Sequence, residues 1–165
     1  MTNPVQDAPD TPGVIVFPPV ILLATVAAGV ILDGFLPLGF LSSLPGVPRL
    51  LIGALLLGLG ASMPFRVRRA FVAAGTNIRP DLPTTTLLTT GLFAHTRNPV
   101  YLGGSLALLG LALLLSSDWI VLLMVPALLL LHYGVVLREE RYLEAKFGAA
   151  YRAYQASVTR YGWKV

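Results

Sequence analysis

Residues 95–104 read HTRNPVYLGG, and they lie where a polar, threonine-rich segment gives way to about 20 residues without a charge. Pro99 favours the first turn of a helix, because its missing N–H would be unpaired there in any case. Asn98 is a favoured N-cap residue, whose side chain would accept a hydrogen bond from a backbone N–H one turn on. The positive end of such a helix suits a carboxylate or a phosphate, and Arg97 adds a fixed positive charge. The stretch therefore predicts a membrane helix that begins with an anion-binding site at the membrane surface.

The composition of the chain predicts an integral membrane protein. Of 165 residues, 55% are hydrophobic and only 12% are charged, and the mean hydropathy is +0.74, which excludes an ordinary soluble domain. The absence of cysteine excludes disulfides, thiolate metal sites and a cysteine nucleophile. The two histidines have no carboxylate cluster around them, so no metal site is expected. The net charge of +4 follows membrane topology, so no nucleic acid partner is expected either.

Four stretches are long enough and apolar enough to cross the ~30 Å hydrocarbon core as helices. We expect these spans at residues 13–32, 47–65, 98–117 and 119–137. Asp33 is expected to end the first span, and the proline-broken segment after it to form an interfacial loop or a re-entrant turn. A flexible tail over residues 1–11 and a C-terminal cytoplasmic amphipathic helix complete the prediction. The expected fold class is thus an all-α integral membrane bundle, forming a single domain over residues 1–165.

The orientation of the bundle follows from its basic residues. With both termini inside, every Lys and Arg except Arg49 lies on the cytoplasmic side, as the positive-inside rule requires. Residues 116–118 read SSD and leave room only for a tight turn between the third and fourth spans. These two spans must therefore be antiparallel neighbours whose cytoplasmic ends meet. Gly53 and Gly60 give the second span a small-residue stripe for close helix packing, which permits an oligomer without requiring one.

The tail after the fourth span supplies the second half of a candidate site. Residues 138–154 read REERYLEAKFGAAYRAY, in which a pair of glutamates follows Arg138. Because the third and fourth spans are neighbours, Tyr101 is expected near these glutamates and near His132, which lies seven residues before the first of them. An ionisable residue near the end of a span is costly and usually functional. S-adenosylmethionine would suit this site, because its carboxylate fits the helix start, its ammonium the glutamates and its sulfonium the aromatic rings.

These motifs resemble the isoprenylcysteine carboxyl methyltransferase family and its phospholipid N-methyltransferase relatives. The family pattern is R-H-P-x-Y, a hydrophobic hairpin, E-E-x-x-L and F-x-x-x-Y-x-x-Y, and it is met over residues 91–154 with Asn98 in place of the histidine. The resemblance implies a methyltransferase that binds S-adenosylmethionine at the cytoplasmic face and takes a lipophilic acceptor from the bilayer. The candidate cofactor-binding residues are His95, Arg97, Asn98, Pro99, Tyr101, Leu102, Glu139 and Glu140.

The expected catalytic residues are Arg138, Glu139 and His132. His132 would act as the base if the acceptor is an amine. Eukaryotic members of the family carry an arginine near the substrate carboxylate where this chain has Val135, and Arg138 could replace it only from about one turn further on. The acceptor therefore stays open between the carboxylate of a prenylcysteine-like molecule and a lipid amine. Asparagine in place of the motif histidine is common in bacterial relatives, which suggests a bacterial inner membrane.

Two other functions fit parts of the pattern. Membrane sterol or isoprenoid reductases share a similar R-H-P-x-Y-x-G motif and bind NADPH, but an acidic residue usually follows the glycine, whereas Gly104 follows Gly103 here. A non-catalytic membrane protein could bind anionic lipid or a partner through its basic inner face. That function leaves the paired motifs unexplained.

Overall fold

The computed structural model of the protein describes residues 11–76 and 83–162, and the regular structure in these ranges is helical, as predicted. The helices are α1 (Pro18–Phe35), α2 (Gly46–Ala73), α3 (Pro99–Leu115), α4 (Asp118–Leu131), α5 (Leu137–Phe147) and α6 (Ala149–Ser157). A π-helical segment, His132–Val136, joins α4 to α5, and short 3-10 turns lie at Leu41–Ser43 and Gly91–Ala94. The tail predicted at residues 1–11 lies, except for Thr11, outside the described ranges.

Three helices of the described part are long and apolar enough to cross a membrane. They are α1, α2 and the continuous helix Asp118–Phe147, which contains α4 and α5. The apolar α3 has 17 residues, about 25 Å at 1.5 Å per residue, which is short of the ~30 Å hydrocarbon core. The all-α membrane fold is thus confirmed, while a fourth crossing by α3 stays a prediction.

The first helix begins later and ends later than the sequence predicted. It starts at Pro18, because proline fits the first turn of a helix but not its interior. The residues before it run along the π-helical segment, where the Ile15 N–H donates to the Gly134 carbonyl at 3.2 Å. Asp33 does not end the helix, which continues to Phe35. A charge marks a polar boundary, but it does not remove the backbone hydrogen bonds that continue a helix.

The second helix is also longer than predicted. It passes residue 65, the expected end of the span, and continues to Ala73 with Pro64 in its interior. The basic cluster at Arg66, Arg68 and Arg69 therefore lies on helix rather than in a loop. The C-terminal end of α2 can thereby form one side of a site.

Glycines set the spacing between α2 and α3, which pack antiparallel. A Cβ atom on Gly103 would lie 2.7 Å from the carbonyl oxygen of Gly60, and one on Gly110 would lie 2.7 Å from that of Gly53. Real Cβ atoms do not approach so closely, so the two backbones are in direct contact. The predicted packing stripe on α2 is confirmed, but its partner is α3, so this stripe is not free to form a dimer.

The α3–α4 connection is the predicted tight turn, and it is tied to the loop between α1 and α2. The Ser117 hydroxyl accepts a hydrogen bond from the Ile120 N–H at 3.1 Å and so caps α4. The Asp118 carboxylate accepts from the backbone N–H groups of Phe40 and Leu41, each at 2.9 Å. We call this end of the bundle the turn end. The opposite end, where α3 and α5 begin, is the motif end.

Candidate active site

A cavity of about 330 Å³ lies at the motif end of the bundle. Its walls come from the residues before and at the start of α1, the C-terminal end of α2, the loop before α3, and from α3, α5 and α6. Most of the wall is apolar, and a few charged and hydroxyl side chains converge on it. A volume of this size and a wall of this kind are typical of sites for small organic ligands.

The buried carboxylate of Glu140 binds two arginines. It is 7% exposed, and it accepts hydrogen bonds from Nε and Nη2 of Arg160 at 2.8 and 2.7 Å. Nη1 of Arg97 lies 3.1 Å from the same carboxylate, close enough for an ion pair. A carboxylate is tolerated at this depth only when it is paired and hydrogen-bonded. The cluster holds one negative and two positive charges, so it leaves one positive charge at the cavity wall.

Arg97 lines the cavity and has unused hydrogen-bond donors. Its side chain is 10% exposed, yet neither Nε nor Nη1 donates a hydrogen bond to any group in the described ranges. Unused donors on a buried guanidinium are costly and uncommon, and they suit an anion such as a carboxylate. Beside it, burial and the charge of Glu140 raise the pKa of Tyr151 to about 12, so this phenol stays neutral.

Glu139 is another charged residue in the cavity wall, beside Tyr101. The Tyr101 hydroxyl donates to Oε1 of Glu139 at 2.7 Å, and both side chains line the cavity. The ion pairs in the described part of the chain involve Glu140 and Glu144, and none involves Glu139. The Tyr101–Glu139 pair can therefore attract a cation or accept a proton.

The start of α3 differs from the prediction in one respect. Asn98 holds the N-cap position, but its side chain makes no capping hydrogen bond, so the predicted cap was wrong. Instead, its Nδ2 donates to the carbonyl oxygen of Arg160 at 3.3 Å. Cap preference is a local property, and here a carbonyl from the distant C-terminal segment competes for the side chain. Asn98 therefore anchors the segment after α6 to the start of α3.

The structure brings most of the predicted cofactor-binding residues together around the cavity. Those that line it are Arg97, Asn98, Pro99, Tyr101, Glu139 and Glu140. The lining does not include His95 or Leu102. His95 instead lies in a separate open groove beside Arg66.

His132 and Arg138, two of the three predicted catalytic residues, also lie outside the cavity lining. Nδ1 of His132 is 2.7 Å from the Tyr161 hydroxyl, and Nη1 of Arg138 donates to the Gly13 carbonyl at 3.1 Å. His132 and Glu139 are seven residues apart, a spacing that would put them on one face of a regular α-helix. The π-helical segment between them adds a residue to the turn, which rotates one side chain away from the other.

Sequence reasoning missed Arg160 and part of the apolar wall. Arg160 follows Glu140 by 20 residues, with α6 between them, so no helical spacing could link the two. The wall includes Phe71, Phe93 and Tyr154, and the Tyr154 hydroxyl donates to the Phe93 carbonyl at 2.7 Å. Tyr154 also packs in a buried cluster with Tyr151, so the two tail tyrosines hold α6 against the loop before α3.

The sequence model of one protein family, described as phospholipid methyltransferase, matches residues 48–150, more than half of the chain. The chain belongs to the phospholipid methyltransferase family. This confirms the family resemblance seen in the motifs and makes the protein a membrane methyltransferase, without distinguishing the isoprenylcysteine type. Comparisons with curated proteins and with solved structures give no significant match.

Proposed function

We propose that the protein transfers a methyl group from S-adenosylmethionine to the amine of a membrane lipid. The observation that carries this proposal is a cavity lined by Arg97, whose Nε and Nη1 donate no hydrogen bond within residues 11–76 and 83–162, and by Glu139, which has no ion-pair partner in the same ranges. The first suits the carboxylate of the methyl donor, and the second suits a cationic acceptor. The family membership supports methyl transfer as the reaction.

The side chains that line the cavity suit the chemical groups of S-adenosylmethionine. Nε and Nη1 of Arg97, which donate no hydrogen bond in the described ranges and lie next to the start of α3, would hold the donor's carboxylate. The rings of Phe93, Tyr151 and Tyr154 line the same cavity and would lie against the adenine or the sulfonium. When bound there, S-adenosylmethionine would supply a methyl group activated by a positively charged sulfur.

The charges of the cavity favour an amine over a carboxylate as the acceptor. Glu139 attracts a protonated amine and repels a carboxylate, and no described lysine or arginine pairs with it. Val135 is fully buried and uncharged, and Arg138 is turned toward the Gly13 carbonyl. The arginine that eukaryotic relatives are expected to place near a substrate carboxylate therefore has no counterpart in this wall.

Glu139 is the proposed base. An amine is protonated near neutral pH, and its nitrogen must lose a proton before it can form a new bond to carbon. In our proposal that proton passes to Glu139, and the Tyr101 hydrogen bond holds the carboxylate in place. This role replaces the one expected for His132. The basic cluster on α2 supports a cytoplasmic position for the site, and we propose a bacterial inner membrane as its location.

The deciding experiment supplies the purified protein, in nanodiscs, with radiolabelled methyl donor and either phosphatidylethanolamine or a prenylated carboxylic acid. We expect label on the amine lipid, as a product stable to mild base. Label found only as a base-labile methyl ester would contradict the amine proposal, and no label in either lipid would contradict the methyl donor or the substrate class.

Glu139→Gln tests the base in the same assay. We expect kcat to fall by about 10²–10⁴, because the amide cannot accept the proton. Arg138→Gln changes the neighbouring residue, which does not line the cavity, and should retain activity. Equal activity of the Glu139→Gln variant and the parent protein would exclude Glu139 as the base.

A further inference from the structure

The segment after α6 contributes a side chain that lies beyond the matched residues 48–150. We infer that Arg160 is a positioning residue, which binds Glu140 and thereby leaves the donors of Arg97 available to the carboxylate of the methyl donor. This inference rests on the proposed function.

The two arginines contact Glu140 in different ways. Arg160 holds Glu140 with two hydrogen bonds at 2.8 and 2.7 Å, in the fork arrangement that gives arginine–carboxylate pairs their strength. Arg97 approaches the same carboxylate to 3.1 Å but makes no hydrogen bond through Nε or Nη1. Arg160 thus supplies the two hydrogen bonds that Glu140 accepts in the described ranges, and Nε and Nη1 of Arg97 donate none.

The charge balance of the cluster leads to the same assignment. With both arginines present, the carboxylate of Glu140 leaves one net positive charge beside the cavity. Without Arg160, Arg97 would be the cation in contact with Glu140, and it would gain by turning its fork onto that carboxylate. The Glu140 cluster would then carry no net charge, and its attraction for an anionic ligand group would weaken.

The backbone of the segment is held independently of the Arg160 side chain. The Arg97 N–H donates to the Thr159 carbonyl at 3.0 Å, and the Thr96 hydroxyl donates to the Arg160 carbonyl at 2.9 Å. Asn98 donates to the same Arg160 carbonyl. A substitution at Arg160 keeps all three bonds, so its effect can be assigned to the guanidinium rather than to loss of the segment.

The test compares two ligands that differ only in the carboxylate. S-adenosylmethionine and its decarboxylated analogue are bound to the full-length protein in nanodiscs, and the affinities are measured by equilibrium dialysis. We expect Arg160→Gln to weaken S-adenosylmethionine binding by about 10-fold or more, the scale of a lost charge-assisted contact, and to leave the analogue unchanged. Arg160→Lys should restore part of the affinity. In turnover, Arg160→Gln should raise KM for the donor and leave kcat nearly unchanged.

Arg152→Gln is the matched control, because it removes the same charge from an exposed arginine on α6 that contacts Glu144 at 3.7 Å. It should change neither affinity. Equal loss of both ligands in Arg160→Gln would indicate a merely structural role and overturn the inference, as would unchanged binding of both. Failure of the parent protein to bind S-adenosylmethionine, or to prefer it to the analogue, would overturn the proposed function and this inference with it.

Discussion

Two carboxylates at opposite ends of the bundle are buried to the same extent and are satisfied in different ways. Asp118 at the turn end is 6% exposed, and Glu140 at the motif end is 7% exposed. Each oxygen of Asp118 accepts from a backbone N–H of the loop between α1 and α2. Glu140 is held by side chains instead, and one of its two partners, Arg97, keeps donors that nothing in the described ranges uses.

The difference shows how a structural acid can be told from one that belongs to a binding site. A carboxylate such as Asp118, whose two oxygens accept from backbone N–H groups of a neighbouring loop, is satisfied within the fold and needs no ligand. At the motif end the arginine that contacts the buried carboxylate has nitrogens without a hydrogen bond, and a second acid, Glu139, pairs with no cation, in the part of the chain that the structure describes. Such groups cost stability unless a ligand satisfies them, and this cost is typical of functional sites.

The largest effect on stability is expected from Glu140→Gln. Removal of the charge leaves the guanidiniums of Arg97 and Arg160 beside each other without their carboxylate, and breaking a buried pair in this way costs about 3–5 kcal/mol. We expect the low end of that range, because the Arg160 side chain is 34% exposed. Reversible unfolding in mixed micelles measures it, and binding of S-adenosylmethionine to the folded fraction should also change. Stability equal to that of the parent protein would mean that the contacts of Glu140 with Arg97 and Arg160 do not stabilise the fold.

A smaller effect, confined to stability, is expected from Asp118→Asn. The amide retains one acceptor for the Phe40 and Leu41 N–H groups, so about 1–3 kcal/mol should be lost. Affinity for S-adenosylmethionine should not change, because the turn end lies at the far side of the bundle. Asp33→Asn, at the end of α1, provides a charge-matched control. A loss of ligand affinity in Asp118→Asn would contradict the separation of the two ends.

The smallest effect is expected from His132→Ala. Its imidazole bonds to Tyr161 outside the cavity, so the variant should lose about 1 kcal/mol of stability and keep both its turnover and its pH profile. Steady-state kinetics across the pH range would check this. A fall in rate with an altered pH profile would return His132 to the role of base that the sequence suggested.

The sequence predicted correctly those parts of the motif end that depend on residues close together in the chain. The tight turn at residues 116–118 forces α3 and α4 to be neighbours. This alone was enough to predict that residues 95–104 lie near the two glutamates. Asn98 and His132 were placed less well. The side chains of Asn98 and His132 contact groups of the segment after α6. No periodicity along the chain indicates where that segment packs against the bundle.

By itself, the sequence determined the membrane-bound, all-helical fold, the glycine stripe of α2 and the two motifs of the site. These features depend on the hydropathy of short segments, on the small size of glycine and on the residues that favour turns, all of which act over a few residues. Only the tertiary structure decided that the stripe faces α3, that His132 contacts Tyr161 outside the cavity lining, and that Arg160 donates two hydrogen bonds to Glu140. These outcomes depend on which distant groups meet in a buried space with few polar partners. There, one added residue in a turn or one returning segment decides which donors are paired and which remain for a ligand.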